Sequence, residues 1–100
     1  MKQVESAEDI STLAFGFMAS KALFAALHID VFGALALGTK TAKELAAATK
    51  IPTHRMETLV TALVSVGLLA RDGDLIANGP ASEQYLVRDG ADYFGDYLRF

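Results

Sequence analysis

The sequence predicts a mainly α, winged-helix-like domain: a helix-turn-helix plus one β-hairpin wing, with extra helices before and after it. Three observations predict this. Residues 41–44 read TAKE, a capping box in which Thr41 caps the amide of Glu44 and Glu44 reaches back. Residues 50–52 read KIP, a sharp break that opens a second helix. Asp72-Gly73 stands between two short apolar runs, a dipeptide suited to a type I′ hairpin turn. The winged unit is thus expected over residues 41–78, with helical segments over 1–38 and 79–100.

Each element follows from local signals. Ser6 starts the first helix, with Asp9 three residues on as an approximate capping box at the positive end of the dipole. That helix is expected to run to about Leu27, with His28 near its end. Gly16 inside it costs about 1 kcal/mol relative to Ala; such a glycine either permits close approach of another backbone or is merely neutral, two readings the sequence leaves open. A shorter helix over 30–37 is stopped by Gly38. The capped helix covers 42–49, with Leu45 and its alanines facing inward. Pro52 suits the first position of the next helix, which runs to about Val66. Met56, Leu59, Val60, Leu63 and Val64 recur along it at spacings of three and four, and Gly67 ends it. Beyond the hairpin, Pro80 opens a helix carrying Tyr85, Leu86 and Val87. Asp89 and Asp92 are expected to cap a last helix with an aromatic face of Tyr93, Phe94 and Tyr97.

One hundred residues is one ordinary domain. Its hydrophobic fraction of 52% is above average, with the excess in the first 40 residues, where surplus apolar surface points to a partner. The apolar segment over 10–29 is split by Lys21, which argues against a membrane span. Glu5, Glu8 and Asp9 fall where a signal peptide would begin its apolar core. With no cysteine there is no disulfide framework or thiolate site, which suits a reducing cytoplasm.

A DNA-reading winged helix needs cations on its second helix and wing. Over residues 41–78, Lys43, Lys50, Arg55 and Arg71 are cancelled by Glu44, Glu57, Asp72 and Asp74, and the total formal charge is −3. His54, Arg55, Glu57, Thr58 and Thr61 are all that the recognition helix would offer. A winged-helix DNA-binding transcription regulator remains the alternative that fits the architecture but not this balance. An adaptor for a different protein is a third reading.

Catalytic constellations do not assemble. His54 and Glu57 have metal-pair spacing but no further His or Cys to complete a site. His28 with Asp30 reads as a polar pair at a helix end. Ser20 and Lys21 diverge by about 100° on a helix. No G-x-G-x-x-G turn is present, so no catalytic, metal or cofactor-binding residue is assigned.

The runs GFMASKALFAALHIDVFGAL, TAKELAAATKIPTHRMETLVTALVSVGLLARDGD and YLVRD resemble the N-terminal dimerisation domain of S-adenosylmethionine-dependent O-methyltransferases of the bacterial small-molecule and plant type. The resemblance covers about residues 10–100. It implies a two-domain enzyme whose N-terminal domain pairs two subunits and helps close over the substrate. S-adenosylmethionine and the catalytic base, often a His, would belong to a Rossmann-like C-terminal domain absent from this chain. The chain is then a non-catalytic fragment of a cytoplasmic homodimer acting on a small-molecule acceptor, with neither nucleic acid nor membrane as partner. Two departures stand out: Met18 occupies a position where many relatives carry a larger aromatic, and Ile51 precedes Pro52 where a capping Ser, Asp or Asn is common.

Two faces of the first helix are therefore expected to be covered, one by the winged unit and one by a second subunit. They are Leu13, Phe17, Ser20, Phe24 and Leu27 on one side and Ala14, Met18, Lys21 and Ala25 on the other. Burial above about 2,000 Å² is typical of such obligate pairs. Tyr93, Phe94 and Tyr97 are a second candidate interface, with internal core as the equal alternative. By analogy with the family's N-terminal helices, Phe17 and Met18 are candidates to line the acceptor pocket.

Overall fold

A computed structural model describes residues 3–93 and 95–98, with the side chains of residues 96 and 97 outside the description. The chain begins with α1 (Ala7–Ile29), 23 residues long, and turns at Asp30 into α2 (Val31–Ala36). Ser6 caps α1 by accepting from the amide of Asp9 at 3.1 Å. The Asp9 carboxylate reaches back one residue further than a capping box would place it, to the amide of Glu5.

Helix α3 (Ala42–Thr49) starts at the complete capping box, with Glu44 N to Thr41 Oγ1 at 3.2 Å and Thr41 N to Glu44 Oε1 at 2.9 Å. Its inner face is Ala42, Leu45 and Ala46; Ala47 and Ala48 are exposed, so only part of the alanine run faces inward. Lys50 closes α3 in the left-handed region at φ 61°. Helix α4 (Thr53–Ser65) follows, with Pro52 as its N-cap residue rather than its first helical position. No side chain caps that start, because Pro52 has no oxygen to offer the free amides. Met56, Val60 and Leu63 of α4 are fully buried, flanked by partly buried Leu59 and Val64.

Strands β1 (Leu69–Asp72) and β2 (Leu75–Asn78) form the antiparallel hairpin. Asp72 pairs with Leu75, which makes Gly73-Asp74 the two-residue loop. Gly73 has φ 60° and Asp74 is not in the positive-φ region, which fits type II′ with glycine leading and not type I′. The pairing is shifted one residue because Asp72 stays extended and the glycine takes the reversal. An isolated bridge from Lys40 to Ile76 adds a third short edge to the hairpin.

Helix α5 (Pro80–Tyr85) has Pro80 in its first turn and ends before Leu86, which turns into the core. Residues 88–92 are turns and bends, and the described part of the last helix is α6 (Gly95–Leu98). Asp89 and Asp92 therefore do not cap a helix; the Asp92 carboxylate accepts instead from Gln84 Nε2 at 3.2 Å. Phe94 lies outside the described residues, as does the side chain of Tyr97.

The fold is mainly helical with a two-stranded antiparallel hairpin. Its core gathers Ala26 and Leu27 of α1, Phe32 of α2, Leu45 of α3, the buried face of α4, and Ile76 of β2. Buried Ser82 ties α5 to the hairpin by donating to Leu68 O at 2.7 Å.

Candidate subunit interface

Only the C-terminal third of α1 joins this core. Ala22 and Ala26 are buried and Ala19 half-buried, and with Phe15 they define one stripe of the helix. At 3.6 residues per turn, Leu13, Phe17 and Phe24 lie roughly half a turn away. Leu13 is 67% exposed, Phe17 69%, Met18 63% and Ile10 60%. Ala14, Lys21 and Ala25 are exposed too, so both faces expected to be covered stand open along the first two-thirds of the helix. The chain's own contact uses a third stripe, which an all-round apolar helix does not announce.

Leu27, expected at the interface, is 2% exposed and belongs to the core. It sits beyond the point where α1 enters the domain, so nothing of it is left for a partner. Tyr93 lies before α6 and is half-buried, its hydroxyl enclosed and without a hydrogen-bond partner among the described residues.

The direction of α1 is set at its C-terminal corner. Asp30 adopts φ 61° and accepts from Gly33 N at 3.2 Å, which ends one helix and caps the next. Arg88 Nη2 donates to Leu27 O at 2.7 Å, and its Nε lies 3.7 Å from Asp30 Oδ1. Asn78 Nδ2 likewise reaches Phe32 O at 2.9 Å. Neither Arg88 nor Asn78 stands out in the sequence, since their partners are 61 and 46 residues away.

Between α1 and α4 runs a groove of ≈ 270 Å³ flanked by Phe15 and Met18 and floored by Ala19 and Ala62. Thr58, Thr61 and Ser65 on its α4 wall donate their hydroxyl hydrogens to His54 O, Glu57 O and Ala62 O, at 3.2, 2.8 and 2.8 Å. The wall is therefore apolar in practice, though its sequence reads polar. Arg71 of the wing is paired with Glu57 at 3.5 Å.

Helix α1 is long and apolar enough to cross a membrane by length and composition, with a mean hydropathy of 1.6 and 17% of that stretch buried. Residues 11–88, including most of α1, match the O-methyltransferase dimerisation domain. The chain belongs to that family. It is 33% identical over 92 residues to the N,N-dimethyltransferase OxyT of Streptomyces rimosus, covering 92% of this chain and 27% of that protein. The 8-O-methyltransferase TcmO of tetracenomycin synthesis, from Streptomyces glaucescens, is 36% identical over 91% of this chain and 27% of its own length. This chain thus spans about a quarter of the curated relatives it matches.

Solved structures agree. Human N-acetylserotonin methyltransferase in complex with SAM superposes with a TM-score of 0.84 at 30% identity, over 99% of this chain and 31% of that one. PigF with SAH gives 0.85 at 28%, over 94% and 31%. The described residues themselves do not fit S-adenosylmethionine. Their sheet is a two-stranded hairpin with no glycine-rich strand-to-helix turn, and no group of three acidic, His or Cys side chains would hold a metal.

Proposed function

We propose that this chain is the subunit-pairing and pocket-closing part of a homodimeric, S-adenosylmethionine-dependent O-methyltransferase acting on a small molecule. The observation that carries the reading is the open apolar side of α1, set opposite the stripe that anchors it. Leaving that side in water is costly, and a second subunit is the cover that the family supplies. The helix pair α3–α4 with its hairpin is read as a winged-helix-like scaffold that serves packing. Its charge balance, the Arg71–Glu57 pair and the back-bonded threonines favour this over DNA. The match across α1 likewise favours a protein cover over a lipid one. S-adenosylmethionine and the methyl-transfer chemistry are assigned to a separate domain, and no step is routed through this one.

Phe17 and Met18 are kept as candidates to line the acceptor pocket of the whole enzyme, Met18 at the edge of the α1–α4 groove. Sedimentation equilibrium of the 100-residue chain tests the pairing. A particle of about 21 kDa at micromolar concentration, twice the chain's 10.7 kDa, is the expected result. A monomer at that concentration overturns it.

A further inference from the structure

We infer that Asn78-Gly79 is a covalent modification site, an asparagine that cyclises onto the next amide and deamidates, and that the fold holds it shut. Asn78 is the only asparagine in the sequence. The glycine after it makes the pair reactive, because no Cβ shields the attacking nitrogen or restricts its approach.

The fold needs both residues. A Cβ at position 79 would come within 2.8 Å of Gly67 O and 3.1 Å of Leu68 O, both backbone atoms. Only glycine fits where the end of β2 passes the turn ahead of β1. Asn78 Nδ2 uses both its hydrogens, on Phe32 O at 2.9 Å and Glu83 Oε2 at 2.6 Å, and so ties β2 to α2 and α5. Packing thus places the labile pair here.

The same contacts block the reaction. In cyclisation the Gly79 nitrogen attacks Asn78 Cγ: an N–Cγ bond forms, the Cγ–Nδ2 bond breaks, and the nitrogen's proton leaves with the amide as ammonia. Water then opens the cyclic imide at either carbonyl, leaving an aspartyl residue or its β-linked isomer. In the folded chain the Gly79 N–H is directed at Leu68 O, 3.0 Å away, so its nitrogen is turned from the neighbouring side chain. Asn78 Oδ1, where negative charge would build up, is buried and has no hydrogen-bond donor among the described residues. Reaction therefore waits for the corner between β2 and α5 to open. Afterwards the corner cannot close as before: the new carboxylate would face Glu83 and Phe32 O, which are acceptors too.

To test this, the chain is kept in mildly alkaline buffer, folded or in denaturing guanidinium chloride, and conversion at residue 78 is followed by peptide mass mapping. Because it tracks the open fraction, conversion should be about a hundredfold or more slower in the folded chain. Glu83→Ala, at an exposed position, should speed the folded reaction about fivefold and leave the denatured rate alone. Glu83→Gln keeps an acceptor and should restore most of the protection. Asn78→Asp, which supplies the product's carboxylate directly, should lower the melting temperature by several degrees. Absence of conversion in denaturant overturns the site itself. Folded and denatured rates within about twofold of each other overturn its closure by the fold. An unchanged folded rate in Glu83→Ala overturns the part given to the Asn78–Glu83 bond.

Discussion

Phe17→Ala separates folding from assembly. Phe17 is 69% exposed, so of the 150–250 Å² that an aromatic side chain presents, about 140 Å² faces water in the single chain. Alanine keeps the share of the Cβ, so truncation removes roughly 90 Å² of covered area, or about 2 kcal/mol per copy at 25 cal/mol per Å². Each dimer holds two copies, so about 4 kcal/mol is lost, roughly a thousandfold in dissociation constant. The fold of one chain should scarcely change, because Phe17 packs on none of the core. Phe32→Ala is the counterpart: Phe32 is fully buried, and the substitution should cost about 3–5 kcal/mol of folding stability. Sedimentation equilibrium reads the first effect and urea denaturation at fixed low concentration reads the second. The reasoning is refuted if Phe17→Ala lowers the urea midpoint of the dilute chain while the dimer constant stays put.

Arg88→Met should destabilise the domain by about 1–2 kcal/mol, since it removes a charged donor from Leu27 O and leaves the partly exposed Asp30 carboxylate without its cation. A thermal melt measures this, and Arg88→Lys should recover only part of it because one ammonium does not span both acceptors. At the start of α3, Thr41's backbone amide, and then its hydroxyl, hold the Glu44 carboxyl below the usual glutamate range. A carboxyl lowered by folding stabilises the domain above its unfolded pKa, and that contribution fades as pH falls through the lower, folded value. Thr41→Ala should therefore cost about 1 kcal/mol of stability as a lost N-cap and bring Glu44 back toward its ordinary titration, read by carboxyl-carbon NMR.

Features set by near neighbours in the chain are legible in the sequence. The capping box at Thr41 and Glu44, the N-cap at Ser6, the spacing of Met56, Val60 and Leu63, and the presence of a hairpin near Gly73 all depend on residues within four or so positions. Shifts of one residue arise where two local choices compete. Gly73 can lead or follow in a two-residue turn, and Pro52 can sit at or just before a helix's first position. The last helix starts later than Asp89 and Asp92 suggest. Both resemble caps, but the chain over 88–92 turns so that Leu86 and Arg88 can reach the body of the domain.

By itself the sequence determined that this is a mainly helical chain with one hairpin and with more apolar surface at its start than it can bury. Which side of α1 turns inward was decided by tertiary structure alone. A helix apolar on all sides carries no phase, so its orientation comes from the corner at Asp30 and from Arg88, whose partner at Leu27 lies 61 residues away. That corner draws Leu27 into the core and leaves Leu13 and Phe17 outside, because a short domain can enclose only the end of a 23-residue helix that lies against it.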